Sequence, residues 1–234
     1  MSRFDPAVFE DFILEEKVAG FFDKPITLKS GRQSHWYVNW RSVTNDAFLL
    51  DKLCDFILDF VESRALAVDC FYGVPEGATK TGLLAQYKWA KRQENFAKGS
   101  HVLAMGRAKA KLHGDPKDRY FVGQPKGRTV VVEDVTTTGG SLIETMDQLL
   151  EAGVQVVAVL GLTNRGEKPV NAADGDSVAD RIAKRFGKEL PYYALSDAHS
   201  LLPRLAGRLK PSAEVLAALE SEYAAYGTKP LSFR

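Results

Sequence analysis

Two adjacent carboxylates, Glu133 and Asp134, end an apolar run in the segment TVVVEDVTTTGGSLI, residues 129–143. Threonines, glycines and a serine follow them, and a second apolar run comes next. Small and hydroxyl residues in front of a helix present backbone N–H groups and an electropositive helix terminus, which together suit a phosphate. Carboxylates repel that anion, but they accept hydrogen bonds from sugar hydroxyls beside it. The segment therefore predicts a site for a phosphate next to a diol, as in ribose 5-phosphate.

An acidic strand end also occurs in nucleotide hydrolases, which need the motif G-x-x-x-x-G-K-[ST] elsewhere in the chain. The nearest candidate is GVPEGATKTG, residues 73–82, where the spacing before Lys80 and Thr81 is wrong. A solvated turn is the plainer alternative, but it does not explain why acids, small residues and a helix start occur together. We therefore favour the phosphoribosyl site over both alternatives.

Apolar patterns along the chain predict the elements that position this site. Five short apolar runs indicate buried strands: VDCFYGVPEG, HVLAMGR, RTVVVED, VQVVAVLGLTNR and PYYALS. Helical patterns at residues 78–90, 140–152 and 177–186 separate several of them. Buried strands that alternate with helices predict an α/β fold with a central, mainly parallel sheet flanked by helices. Such sheets bind ligands at the carboxyl ends of their strands, where Glu133 and Asp134 are expected.

The two ends of the chain add helices to this core. Asp5 and Pro6 form a helix start before a helical pattern that reaches residue 18, and a second helix is predicted at residues 46–63. Between these helices, residues 20–43 are extended and rich in turns, and we call them the hood. A last helix is predicted in PSAEVLAALESEYAAYG. We therefore expect an N-terminal helix with the hood, a core and a C-terminal helical extension, at residues 1–45, 46–200 and 201–234.

The composition fits one globular domain, because 45% of the 234 residues are hydrophobic and 26% are charged. A net charge of +1 gives no global field that would attract nucleic acid or a membrane, and we expect neither as a partner. Cys54 and Cys70 form no C-x-x-C pair, which is typical of reduced core thiols in a cytoplasmic protein. The acidic residues among the first 18 are unlike a signal peptide, and no apolar run is long enough to span a bilayer.

Four segments carry a resemblance to a known family. VVVEDVTTTGGS resembles the phosphoribosyl-pyrophosphate (PRPP) motif of type I phosphoribosyltransferases. TLKSGRQSHWYVNWR, GRAKAKLHG and LTNRGE resemble the N-terminal LKSGR segment, the mobile catalytic loop and the orotate-binding strand end of orotate phosphoribosyltransferases. The resemblance covers residues 26–165 in family order and implies the type I phosphoribosyltransferase fold with a small N-terminal hood. It also implies the reaction of orotate with PRPP, assisted by Mg²⁺, to give orotidine 5′-phosphate and pyrophosphate.

The resemblance implies a role for each matching residue. Cations stabilise the charge that builds on pyrophosphate as C1′ of the ribose gains oxocarbenium character. The cations implied to be catalytic lie on the mobile loop, residues 107–123, and are Arg107, Lys111 and His113. The residues implied to bind PRPP are Lys29, Arg107, Lys109, Lys111, His113, Glu133, Asp134, Val135, Thr136, Thr137, Thr138, Gly139, Gly140 and Ser141. Those implied to bind orotate are Lys29, Tyr37, Val38, Thr137 and Arg165. Mg²⁺ would be held mainly through PRPP, with no direct protein ligand.

Two positions depart from the family pattern. Ala108 stands where the loop usually has its first lysine, with Lys109 directly after it, and Glu76 and Gly77 stand where a Tyr-Lys pair is usual. Whether Lys109 or Lys80 takes over from the missing lysines stays open.

Two other functions also stay open at this stage. One is a phosphoribosyltransferase for another nucleobase, and the other is a PRPP-sensing regulator without catalysis. The cations of the loop favour an enzyme over a sensor. The family further implies a homodimer in which the loop of one subunit covers the active site of the other.

Overall fold

The structure, a computed structural model, describes residues 4–28, 31–107, 111, 113, 119–169 and 176–233. The helices are α1 Pro6–Glu15, α2 Arg41–Thr44, α3 Ala47–Ser63, α4 Thr79–Lys91, α5 Gly140–Glu151, α6 Val178–Phe186, α7 Ala198–Leu209 and α8 Ala213–Tyr226. The strands are β1 Ala19–Thr27, β2 Gln33–Val38, β3 Cys70–Gly73, β4 Met105–Gly106, β5 Phe121–Val122, β6 Thr129–Thr136, β7 Val156–Asn164 and β8 Tyr192–Asp197.

The central sheet has four parallel strands in the order β3-β6-β7-β8. β3 ends at Gly73, opposite Val132, whereas β6 continues beside β7 until Thr136 pairs with Asn164. The last four residues of β6 are therefore unpaired on the β3 side, which opens the sheet at its carboxyl edge. This architecture confirms the α/β fold predicted from the sequence.

Apolar residues are buried on both faces of the sheet, as a parallel sheet requires. Val130 and Val132 pack into a core shared with α1, α3, α7 and α8. Val131 packs on the opposite face with Leu142 of α5 and Ile182 of α6. The first of these cores combines residues from all three parts into which the sequence divides the chain, and that division stays a prediction.

β1 and β2 form an antiparallel hairpin within the hood, with Ala19 paired to Val38 and Thr27 to Gln33. Helices α7 and α8 pack against the hairpin. The first helix begins where the sequence predicts, because Asp5 accepts a hydrogen bond from the Ala7 N–H. The hood is thus a covering layer over one end of the sheet.

Two predictions about elements need correction. The run HVLAMGR was expected to be a strand of the core, but only Met105 and Gly106 form a strand, which pairs with β5 outside the sheet. Gly106 packs so closely on Tyr72 that a Cβ atom would lie 2.1 Å from the Tyr72 hydroxyl, so β4 contacts a side chain of β3 without pairing with that strand. Helix α7 was not predicted as a separate element, and its first three residues lie in the predicted core while the rest lie in the predicted C-terminal helical extension.

The two cysteines are buried and free. Burial raises the pKa of the Cys54 thiol to about 12 and that of Cys70 to about 11. Both therefore behave as apolar core residues, as expected. No helix in the described part of the chain combines the length and the apolar character that crossing a bilayer requires.

Candidate active site

A cavity of about 550 Å³ opens at the carboxyl ends of β6 and β7, below the hood. It is lined by Ile26, Leu28, Tyr37, Val38, Glu133, Val135, Thr137, Thr138, Gly139, Gly140, Ser141, Glu144 and Arg165. The fold thus brings residues of the acidic strand, the phosphate loop, the hood and the strand end after β7 into one space. The acidic strand and the phosphate loop are adjacent in sequence, whereas the hood and the strand end after β7 are distant from them, and the sequence singled out all four.

The side chains of the two acids of β6 lie in different surroundings. The strand was expected to end at Val132, but it continues to Thr136, so Glu133 and Asp134 lie inside it on opposite faces. Glu133 is only 7% exposed and lines the cavity. Asp134 does not line it, and its carboxylate packs instead against Gly77 in the turn after β3.

The Gly77 contact explains one departure from the family pattern. A Cβ atom at Gly77 would lie 2.3 Å from Asp134 Oδ2, which is far closer than packing allows. Asp134 Oδ1 also accepts a hydrogen bond of 2.8 Å from the Val135 N–H, which fixes the carboxylate. A larger residue at position 77 is therefore incompatible with this position of Asp134.

The phosphate loop leads directly into helix α5. Its N-cap is Gly139, which has a φ of 75° and supplies no side chain to cap the helix. The first N–H groups of α5 are therefore left for another acceptor, and the positive end of the helix dipole lies at the cavity. Arg181 of α6 donates a hydrogen bond to the Thr138 carbonyl, which fixes the loop. This geometry suits a phosphate monoester.

Thr136 is the exception among the threonines of this segment. It was expected in the phosphate loop, but it is the last residue of β6 and is 1% exposed. Its hydroxyl is hydrogen bonded to the Tyr192 hydroxyl, and its carbonyl accepts a bond of 2.8 Å from the Arg165 N–H. Because those bonds occupy it, the Thr136 side chain does not border the cavity.

The hood contributes an aromatic ring to the cavity. Tyr37 lies 4.8 Å from the Phe22 ring and directly over Gly20, where a Cβ atom would be 2.6 Å from the tyrosine oxygen. Its two tryptophan neighbours, Trp36 and Trp40, are at most 1% exposed and belong to the core. Of these three aromatic residues, Tyr37 is the one that borders the cavity.

Arg165 follows β7, is 3% exposed and lines the cavity. Its Nε donates to Glu167 Oε1 at 2.6 Å, its Nη2 to Ser34 Oγ at 3.1 Å and its Nη1 to the Trp36 carbonyl at 3.3 Å. The guanidinium also lies over the Trp36 ring, 4.2 Å from the ring centre. An arginine at this place could be an ion-pair partner or an anion ligand. It is an ion-pair partner that also borders the cavity.

The cations expected on the loop do not line this cavity. Arg107 follows β4, and its Nε donates to the Phe121 carbonyl at 3.2 Å. The Lys111 N–H donates to the Arg119 carbonyl at 2.8 Å, so the pairing of the two loop arms extends beyond β4 and β5. The side chains of Lys111 and His113 are exposed, and none of the three borders the cavity.

Three lysines were also considered for the pyrophosphate site. Lys29 and Lys109 lie outside the described residues. Lys80 is on α4, and its Nζ donates to Asn45 Oδ1 at 2.7 Å on the exposed surface. It does not line the cavity.

Comparison with known proteins identifies the family. No protein-family model matches the chain. A curated relative named orotate phosphoribosyltransferase, from Rhodopseudomonas palustris (strain BisB5), is 35% identical over 156 residues, which cover 63% of this chain and 77% of the relative. The chain belongs to the orotate phosphoribosyltransferase family. A second relative of this name, from Methylococcus capsulatus, is 29% identical over 229 residues, or 94% of this chain and 96% of the relative.

A solved structure shows that the fold is shared as well. The crystal structure of orotate phosphoribosyltransferase from Francisella tularensis matches 94% of this chain and 99% of its own, with a TM-score of 0.67 and 19% identity. The type I phosphoribosyltransferase fold implied by the sequence is therefore confirmed.

Several residues at the site of this orotate phosphoribosyltransferase family member were not predicted. Ile26 and Leu28 line the cavity from the hood, and since Leu28 belongs to the recognised TLKSGR segment and Ile26 directly precedes it, their positions were a usable signal. Glu144 lies one helical turn after Gly140, which places it on the same side of α5. Glu167, one partner of Arg165, lies in the recognised LTNRGE segment, whereas Ser34 and Glu222 gave no such signal because they come from distant parts of the chain.

Proposed function

We propose that this enzyme transfers the 5-phosphoribosyl group from PRPP to orotate, giving orotidine 5′-phosphate and pyrophosphate for pyrimidine nucleotide synthesis. The observation that carries the proposal is one cavity bordered by the uncapped start of α5, Glu133 and Arg165. The uncapped helix start suits the 5′-phosphate of PRPP, and Glu133 suits the ribose diol. Arg165 suits the ring carboxylate of orotate.

The PRPP end would be held by β6 and the phosphate loop. The backbone N–H groups and hydroxyls of residues 137–141 would bind the 5′-phosphate, and the helix dipole of α5 would stabilise its charge. Glu133 would accept hydrogen bonds from the ribose hydroxyls inside the cavity. Asp134 would accept them from the side of the Gly77 turn, and Val135 and Thr136 would contribute backbone.

The reaction breaks the bond between C1′ and the pyrophosphate oxygen and forms a bond from C1′ to a ring nitrogen of orotate, which loses its proton. Negative charge builds on pyrophosphate, so cations near it lower the barrier. We assign this role to Arg107, Lys111 and His113 of the loop, with Lys109 and Lys29. Because the described loop cations do not border the cavity of their own chain, we propose a homodimer in which each loop covers the partner's site.

The base would bind between the hood and the end of β7. Arg165 would bind the orotate carboxylate, since a guanidinium matches a carboxylate with two parallel hydrogen bonds. Tyr37 and Val38 would contact the ring from the hood, and Thr137 and Lys29 would complete the pocket. Uracil lacks the carboxylate and would leave Arg165 without its ligand.

Mg²⁺ would enter the site together with PRPP. Within the described ranges, no group of three or more histidine, cysteine, aspartate or glutamate side chains could hold a metal ion. Pyrophosphate and ribose oxygens are the hard ligands that Mg²⁺ prefers, so PRPP itself would supply most of its coordination. We also propose a cytoplasmic location, which the two free buried thiols support.

A steady-state assay with PRPP, Mg²⁺ and a panel of bases tests the proposal. We expect pyrophosphate release with orotate and almost none with uracil or with purine bases. Turnover of a purine would reassign the base but keep the PRPP site. Binding of PRPP without turnover of any base would identify a PRPP sensor instead of an enzyme.

A further inference from the structure

Arg165 belongs to a buried ionic cluster beside the cavity. The cluster contains two arginines, two glutamates and a serine, each at most 9% exposed: Arg32, Ser34, Arg165, Glu167 and Glu222. Glu222 comes from α8, in the C-terminal extension, for which the proposed reaction gives no role. With both glutamates ionised the four charges sum to zero, so the buried cluster is electrically balanced without a ligand.

The two glutamates are held very differently. Glu167 uses both oxygens in ion pairs, Oε1 with Arg165 Nε at 2.6 Å and Oε2 with Arg32 Nη1 at 3.1 Å. Glu222 Oε2 accepts a hydrogen bond of 3.0 Å from Ser34 Oγ. Glu222 Oε1 lies 3.7 Å from Arg165 Nη2 and has no hydrogen-bond partner among the residues that the structure describes. Glu222 is therefore the glutamate whose ionised form is less well compensated.

The backbone at Arg165 is tied to the same helix. The Tyr223 hydroxyl donates a hydrogen bond of 2.8 Å to the Arg165 carbonyl, and the Thr228 N–H donates one of 2.7 Å to the Gly166 carbonyl. Because these bonds fix the main chain, Glu222 and Arg165 cannot easily move apart when a ligand arrives. Negative charge added beside Arg165 can then be compensated by protonation of a nearby acid.

A base with a carboxylate brings such a change. Arginine has five N–H groups, and Glu167, Ser34 and the Trp36 carbonyl take three of those of Arg165. A ligand carboxylate that takes the others would add a negative charge to a cluster that is already balanced. Buried charge without compensation is costly, and an acid is protonated instead where that is possible.

We propose that Glu222 takes up a proton from solvent when a carboxylate-bearing base binds at Arg165, and that it thereby tunes the preference for such a base. The proposal rests on the role of Arg165 under the proposed function. The proton is taken by Glu222 Oε1, the oxygen without a donor, while the arginine keeps its charge for the ligand. Burial, followed by repulsion from Glu167, already raises the pKa of Glu222 above its usual value.

Other titratable groups face the same cluster and must be separated from Glu222 in any test. The charged and titratable groups around it are Arg165 and Glu167 after β7, Arg32 and His35 in the hood, and Tyr223 on α8 itself. Because several titratable groups share this cluster, a pH profile alone would not identify the group that takes up the proton. A variant that removes only the Glu222 proton site is therefore needed.

The test is isothermal calorimetry with two ligands that differ only in the carboxylate, orotidine 5′-phosphate and uridine 5′-phosphate. Titration in two buffers of different ionisation enthalpy gives the number of protons taken up on binding. Wild type should take up more protons with orotidine 5′-phosphate than with uridine 5′-phosphate. Glu222→Gln should abolish this difference, whereas the exposed Glu214→Gln on the same helix should keep it.

The affinities provide a second readout. For Glu222→Gln we expect tighter binding of orotidine 5′-phosphate at alkaline pH, by about tenfold for each unit by which the ligand raises the pKa of Glu222. Equal proton uptake in wild type and Glu222→Gln, or weaker binding by the variant at every pH, would overturn the proposal. If wild type did not prefer orotidine 5′-phosphate over uridine 5′-phosphate at all, the role of Arg165 in the proposed function would fail first, and this inference with it.

Discussion

Arg165 Nε and Glu167 Oε1 are 2.6 Å apart, and both side chains are almost completely buried. The pair lies where β7 ends and the cavity begins, so one guanidinium both stabilises the fold and borders the proposed base pocket. A substitution that deletes this guanidinium is expected to affect both unfolding and base binding. Separating the two effects requires different substitutions at the same position.

Arg165→Ala should lower the free energy of unfolding by about 3–5 kcal/mol, because Glu167 and Glu222 would keep buried charges with one arginine fewer. Urea unfolding measures this loss. Arg208→Ala, at an exposed position in α7, is the control and should change the stability by less than about 0.5 kcal/mol. A similar small change for Arg165→Ala would mean that the ion pair does not stabilise the fold.

Arg165→Lys keeps the charge but loses the planar fork. We expect it to reduce orotate use by about ten- to a hundredfold, the scale of a charged hydrogen bond of roughly 1.5–3 kcal/mol, with little change in the KM for PRPP. The ratio of orotate to uracil turnover should fall as well. Steady-state kinetics with both bases measure this. An unchanged ratio would show that another group recognises the carboxylate.

Gly77→Ala should weaken PRPP use as strongly as Asp134→Asn does, because a Cβ atom at position 77 would displace the Asp134 carboxylate. We expect about ten- to a hundredfold for each, and a similar loss for Glu133→Gln from inside the cavity. The matched control is Gly207→Ala in α7, where a Cβ atom would meet nothing within 4 Å. Full activity of Gly77→Ala would argue that Asp134 does not bind the ribose.

Lys111→Ala should lower kcat far more than it raises the KM for PRPP, because the cation matters most as charge builds on pyrophosphate. Lys111 is exposed, so stability should be unchanged, and Lys126→Ala provides an exposed lysine control. Mixing Lys111→Ala chains with Asp134→Asn chains should restore activity if each loop serves the partner's site. Verified mixed dimers without activity would place the loop over its own site.

The pKa of Glu222 is raised by burial and then by Glu167, so the folded chain holds this proton to a higher pH than the unfolded chain does. Its contribution to stability is therefore full at low pH and is lost as the pH rises through the raised pKa. Glu222→Gln should remove that loss, so its advantage over wild type in urea unfolding should grow as the pH rises above the ordinary titration range of a glutamate. Glu214→Gln, whose carboxyl pKa is lowered by the Ser212 side chain, should run parallel to wild type over this range. A constant difference between wild type and Glu222→Gln would contradict the prediction.

The parts of the site that were predictable are those encoded locally. Glu133, Gly139 and Ser141 lie within nine consecutive residues, and a strand end followed by a helix start fixes their relative positions. The tertiary partners were not predictable in this way. Thr136 is of a residue type common in phosphate loops, but its hydroxyl is hydrogen bonded to Asn164 and to Tyr192, which are 28 and 56 residues further on.

The buried ionic cluster around Arg165 could not be predicted for the same reason. Ser34 and Glu222 are separated by 188 residues, and nothing in either local sequence indicates the other. Helix α7 was not predicted as a separate element, although most of it lies in the predicted C-terminal helical extension. Burial of a charged side chain depends on which distant partner the fold brings to it, and a pattern along one segment does not contain that information.

The ties between α8 and Arg165 also set an order of events during protein synthesis. The acidic strand and the phosphate loop leave the ribosome long before Glu222 and Tyr223 do. Until Glu222 and Tyr223 emerge and α8 docks, the Arg165 guanidinium at the cavity lacks part of its support. The segment proposed to bind PRPP is therefore synthesised before the surroundings of Arg165 are complete, and the proposed base pocket matures after it.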